Sequence, residues 1–194
     1  MKFIVFFMAV FLLAGCGSVT TPESHYYRLA DVQKEQLAGT DHFNTDVTVS
    51  LFKVSGMLNN RNLLYSNESR PNEVMQLHYH LWHDALPKIM TRQFISYLKL
   101  SASNAQVSEY RYAAVQGLHV VVSVERMEIQ YSSDSRLHVK LNVQVSNSKG
   151  SVLLDKDYEN SQAYDSSEIY QLVTHYNDIL IKTYSQFLED FVAL

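Results

Sequence analysis

The chain has 194 residues, 46% of them hydrophobic, with 16 basic against 20 acidic side chains and a formal net charge of −4. This is the profile of one ordinary globular domain of mildly acidic balance. No run of Lys or Arg is present to neutralise phosphates, which excludes nucleic acid as the partner. Six Gly and three Pro leave little room for linkers or repeats, so regular structure should cover most of the chain.

Residues 1–15 stand apart. Lys2 precedes the apolar run Phe3 to Leu13 and then small residues, the pattern of a secretory signal. The run is shorter than the roughly 20 apolar residues that span a bilayer, and no stop-transfer flank follows, which argues against a permanent anchor helix. Leu13-Ala14-Gly15-Cys16 resembles the lipobox of bacterial lipoproteins, in which the Cys thiol is acylated with palmitate-type chains and becomes the first mature residue. Cys16 is the only cysteine, so this use leaves the remaining chain without disulfides. Gly17, where Asp would retain a Gram-negative lipoprotein on the inner membrane, points to the outer membrane, facing the periplasm. Gly17 to Ser24 reads as a polar tether, and residues 25–194 as the folded domain.

Beyond the tether, Val47, Val49 and Leu51 alternate with Thr48, Ser50 and Phe52, which predicts a strand with one buried face. A second extended stretch runs from Glu73 to Leu81. Leu86, Ile89, Met90, Phe94, Tyr97 and Leu98 then form an apolar stripe at helical spacing over 84–98, with Asp84 as N-cap and Pro87 in the first turn. Leu118, Val120, Val122 and Val124 alternate before Met127, Ile129 and Tyr131 resume one residue out of phase, which predicts a bulge near Glu125-Arg126. Leu137 to Val145 alternate without a fault, and Asn147-Ser148-Lys149-Gly150 turns the chain into Val152 to Tyr158, completing an antiparallel meander. Its other face carries His138, Lys140, Asn142 and Gln144. The stripe Ile169, Leu172, Val173, Tyr176, Leu180, Tyr184, Phe187 and Phe191 predicts a covering helix, with Asp165 and Glu168 at its N-cap and N3 positions. The expected fold is α+β: a single mostly antiparallel sheet with two α-helices packed on one face.

The search for chemistry finds no Gly-rich phosphate loop, G-x-S-x-G elbow, HExxH or paired-Cys spacing, so an ATPase or dinucleotide enzyme is set aside. His78, His80 and His83 beside Asp84 could be brought together by a strand and its corner. Interleaved with Leu77, Tyr79, Leu81 and Trp82 they read better as an exposed strand face, and no metal site is assigned. The 13 Tyr read as core and interface packing. No catalytic residue and no cofactor is assigned, while a Ser-His-Asp triad built from separated residues stays open.

The order of elements then carries a resemblance. A lipobox, His25-Tyr26-Tyr27-Arg28-Leu29, a first strand, Met57-Leu58-Asn59-Asn60-Arg61, the entry Trp82-His83-Asp84-Ala85-Leu86 and a long C-terminal helix together resemble the ABC-type transport auxiliary lipoproteins. Val54-Ser55-Gly56 replaces the usual Leu-Pro, and Met57 stands where the family has Tyr. The resemblance implies a non-catalytic accessory subunit, partnered by a mammalian-cell-entry (MCE) domain protein with an associated permease or ABC transporter, in a system moving phospholipid between membranes. The surfaces expected to meet such a partner are loops near the tether and sheet edge, with Met57, Asn59, Arg61 and Tyr65 as candidates. A homo-oligomer stays open. Two other functions do too: a stand-alone amphiphile-binding or outer-membrane assembly lipoprotein, and a periplasmic hydrolase.

Overall fold

The computed structural model describes residues 22–37, 42–110, 117–164 and 168–194. The signal, Cys16, the first tether residues and Asp165 lie outside them. The elements are β1 (His25–Tyr27), β2 (Val47–Val49), β3 (Lys53–Val54), β4 (Asn62–Asn67), β5 (Arg70–Trp82), α1 (Leu86–Ser101), β6 (Val107–Glu109), β7 (Leu118–Tyr131), β8 (Arg136–Asn147), β9 (Val152–Ala163) and α2 (Ile169–Val192). Short 3₁₀ helices occur at Lys34–Gln36 and Gly56–Asn59. The class is α+β, with one sheet and two α-helices among the described residues.

The meander β7-β8-β9 is the centre. It is antiparallel in long registers, and the pairing of β7 with β8 shifts between Val124 and Arg126, where the phase change in the sequence requires a bulge. Val120, Val122, Val124, Met127 and Ile129 are buried, as are Leu137, Val139, Leu141, Val143 and Val145. β9 runs five residues beyond Tyr158, because its polar second half pairs with β8 as far as Arg136↔Ala163 without needing an apolar face.

The other edge of β7 is shared. β2, β3 and β4 lie along it in succession, each parallel to it, at Leu118–Val120, Ser123–Val124 and Ile129–Tyr131. β6 adds to β2 in parallel, β5 to β4 antiparallel and β1 to β5 in parallel. The sheet is therefore mixed: its long ladders are antiparallel, and its short N-terminal pairings are mostly parallel. Gly117 opens β7 with a φ of +75°, and a Cβ there would stand 2.0 Å from the Asp46 carbonyl oxygen. Only Gly permits this approach, through which Asp46 accepts from Leu118 N–H at 2.8 Å.

Three local expectations are corrected. Leu51 is 51% exposed and Phe52 is 2% exposed, the reverse of the expected alternation. The ladder of β2 ends at Val49, and Phe52 turns inward with its N–H donating to Thr91 Oγ1 at 2.8 Å, onto α1 and the Phe94 ring. Helix α1 starts at Leu86 with Ala85 as its N-cap. Asp84 lies one residue earlier, accepting from Ala85 N–H and pairing with Lys88. The N-cap of α2 is Glu168 rather than a residue three earlier, because the apolar stripe begins at Ile169.

Both helices cover the buried face of the sheet. Trp82 and Leu86 are buried, but the Trp82 ring meets Tyr176 of α2 edge-on at 6.0 Å. The corner after β5 is thus clamped by the C-terminal helix. Phe94 and Tyr97 of α1 contact Tyr184 of α2, and Gln93 Nε2 donates to Asn177 Oδ1 at 2.5 Å and to Ala30 O at 3.1 Å.

Candidate docking surface

The four candidate residues fall in two places. Gly56, with φ +56°, lets the chain turn into the 3₁₀ helix that carries Met57 and Asn59. Leu58 is its buried anchor, while Met57 is 36% exposed. Met57 lines a hollow of 220 Å³ with Leu58, Leu64, Val74 and the bulged Glu125–Glu128 segment of β7. The hollow borders a well-satisfied charge pair: Glu128 is buried, and its Oε1 accepts from Arg126 Nη2 at 2.6 Å, Arg126 Nε at 3.0 Å and Ser66 Oγ at 3.0 Å.

Arg61 is committed to the fold. Its Nε donates to Trp82 O at 2.9 Å and its Nη2 to His83 O at 2.7 Å, while Trp82 N–H donates to Arg61 O. The guanidinium also lies 5.5 Å from the centre of the Tyr26 ring. Tyr65 stands on β4, half-buried, edge-on to Tyr131 at 5.5 Å. Met57 and Asn59 thus share one exposed turn, Arg61 locks the β5–α1 corner, and Tyr65 packs within the sheet.

The histidines do not converge. The Tyr27 hydroxyl and His80 Nδ1 are hydrogen-bonded at 2.8 Å and the His80 ring stacks on His25 at 5.3 Å, whereas His78 is exposed. Burial and the neighbouring His25 charge push the His80 imidazole below its ordinary value. Among the described residues no group of three His, Cys, Asp or Glu side chains is placed to hold a metal ion. Ser50 and His119 are hydrogen-bonded at 2.8 Å, a pair hidden from the sequence by a separation of 69 positions. No hydrogen bond to a carboxylate orients the other ring nitrogen among the described residues, so the pair lacks the third member of a triad.

Two further concavities were not legible in the sequence. A groove of 1030 Å³ runs along the outer face of α1, with Leu51, Ile95 and Val107 as apolar lining and Lys88, Arg92 and Lys99 along it. Its signal was the misplaced phase of Leu51. A second hollow, of 550 Å³, lies between the β1 segment and the first turns of α2.

Among the described residues the fold is a helix-backed sheet with open hollows on its surface. The model of the ABC-type transport auxiliary lipoprotein component matches residues 27–186, and the chain belongs to that family, which is described by a transport role rather than by an enzymatic activity. No curated protein matches the sequence. Among solved structures, protein XCC0632 from Xanthomonas campestris, of the family labelled DUF330, superposes with a TM-score of 0.70 at 11% identity, over 87% of this chain and 95% of that one. An uncharacterized protein gives 0.65 at 12% identity, over 89% and 98%. PelC from Paraburkholderia phytofirmans, a dodecamer, gives 0.46 at 12% identity, over 86% and 96%, a likeness too loose to carry its assembly across. The first two likenesses, at 0.70 and 0.65, establish the fold. Among the described residues no helix is long and apolar enough to cross a membrane.

Proposed function

We propose that this protein is an outer-membrane-anchored auxiliary subunit of an intermembrane lipid transport system, of the kind represented by the lipoprotein PqiC. In this reading residues 1–15 are removed, Cys16 carries the acyl chains, residues 16–24 are the lipidated Cys and tether, and residues 25–194 dock an MCE-domain protein and its permease or ABC transporter on the periplasmic side. The family match over residues 27–186 is the observation that carries it, and the lipobox supports the anchoring. Several acyl chains, at about 0.8 kcal/mol per buried CH₂, would hold the domain at the membrane essentially permanently. Metabolic labelling with a fatty acid should mark the parent and leave Cys16→Ala unmarked; label on the variant would remove the anchor from the scheme.

Met57 and Asn59 are the docking residues to change, because Arg61 and Tyr65 are used by the fold. A folded form starting at Gly17 should co-purify with the cognate MCE protein in mild detergent, and Met57→Glu with Asn59→Ala should weaken that association. A folded domain that shows no association at micromolar concentration would count against the auxiliary role.

The groove along α1 favours one second reading, an amphiphile-binding lipoprotein, since its apolar lining of Leu51, Ile95 and Val107 suits an acyl chain and Lys99 a polar head, while Lys88 and Arg92 pair with Asp84 and Glu109 lines the groove too. Lipid retained after detergent-free purification, and lost in Leu51→Glu, would support it.

A further inference from the structure

The hollow beside β1 has the composition of a membrane-interface surface. Tyr26 is 61% exposed and Tyr170 is 73% exposed, the two largest exposures among the exposed large hydrophobic side chains described. They flank a hollow of 550 Å³ whose wall includes Arg28, Val173 and Thr174. On α2, Tyr170, Val173, Thr174 and Asn177 follow helical spacing on the side turned to β1. The guanidinium of Arg61 sits over the Tyr26 ring at 5.5 Å. Glu23 and Glu168 stand close by in the sequence, so the patch is amphipathic rather than strongly basic. Rings with a polar tip, beside long cationic stems, are the side chains that settle at the headgroup level of a bilayer.

The place of this patch in the chain identifies what covers it. Tyr26 lies ten residues after Cys16, a reach of at most about 35 Å when fully extended and roughly 17 Å for a flexible chain. A tether that short keeps the patch within reach of the bilayer holding the anchor, so a contact too weak to recruit a free protein is populated through effective concentration. We propose that the domain is seated on the phospholipid headgroup layer through Tyr26 and Tyr170, rather than swinging free on its tether. This rests on the reading of Cys16 as the acylated residue.

The test uses the full lipidated protein, reconstituted in phosphatidylethanolamine–phosphatidylglycerol vesicles after its intact mass has shown the acyl chains. With Cys16 acylated, Thr174→Cys and, separately, Ser148→Cys give one reactive thiol each for an environment-sensitive fluorophore. Thr174 is exposed beside the hollow. Ser148 lies in the turn between β8 and β9, and the 12-residue β8 separates that turn by about 40 Å from the end where α2 begins. The label at 174 should shift to the blue and lose quenching by aqueous iodide on reconstitution, while the label at 148 should do neither. Tyr26→Ala with Tyr170→Ala, with the fold checked by circular dichroism, should restore iodide access at 174. A label at 174 as accessible as that at 148, or shielded only when a partner protein is added, would overturn the seat and leave the anchor standing. A mass without acyl chains would overturn both.

Discussion

Gln93 sits in the middle of an amphipathic helix, yet it is 5% exposed. Its amide joins α2 through Asn177, the segment before β2 through the Ala30 carbonyl, and Tyr184 O–H, which donates to its Oε1 at 3.3 Å. A buried amide left without its partner costs about 1 to 3 kcal/mol, so Gln93→Leu should destabilise the domain by that amount in denaturant unfolding, although the change is apolar and nearly isosteric. His80 makes a different prediction. Its imidazole is depressed by burial and by His25; burial similarly depresses His119, with Lys53 adding to it, and His138, with Arg126 adding to it. A depressed folded-state value means that the unfolded chain takes the proton first as pH falls below the ordinary 6.5. Stability is therefore complete above that point and is lost on acidification through the folded-state values. Asp84, Asp157 and Asp190, held low by their Lys partners, stay ionised through this window, leaving the histidines to set the slope. The melting temperature should fall between pH 7.5 and 5.5, and less steeply in His80→Asn.

Elements with enough residues to show a period were readable in advance. The meander, its bulge and both helices follow from alternation and helical spacing, whereas Trp82, on the same strand parity as the exposed His78, is buried because the corner after β5 packs it on Tyr176. β3 has two residues and β1 and β6 three each, too few to carry a period; β2 shows one only through Val47 and Val49, and the pairings of these strands with β5, β7 and β2 depend on tertiary context. The same limit explains Leu51, whose apparent place in an alternation ended with the ladder two residues earlier. The candidate docking residues divide in the same manner: an exposed turn at Met57 and Asn59 is legible from Gly56 and polar neighbours, whereas the two carbonyls that occupy Arg61 belong to the last residue of β5 and the residue after it, 21 and 22 positions away. Because Trp82 packs on Tyr176, Trp82→Ala should loosen the grip of α2 as well as the corner. The expected loss is about 3 to 5 kcal/mol. A melting temperature within a degree or two of the parent would refute that packing.

Across the whole molecule, the end that bears the proposed anchor and the turn proposed for docking are linked by one contact chain. Arg61 follows directly from the turn carrying Met57 and Asn59, and its guanidinium lies over Tyr26 beside the tether. Arg61→Ala should therefore impair partner association and lower stability together, whereas Met57→Glu should reduce association alone; co-purification beside thermal melts separates the two.

The arrangement along β7 also sets a schedule for folding. The meander closes through neighbouring turns, but Val47 must find Leu118, Lys53 must find Ser123 and Tyr65 must find Ile129, partners some 64 to 71 positions later in the chain. Contacts of such long sequence separation form slowly. With residues 1–15 read as a secretory signal, β2, β3 and β4 would cross the membrane before β7 arrives to receive them. The lengths of β2 and β3, three and two residues, leave little edge to pair wrongly during that wait.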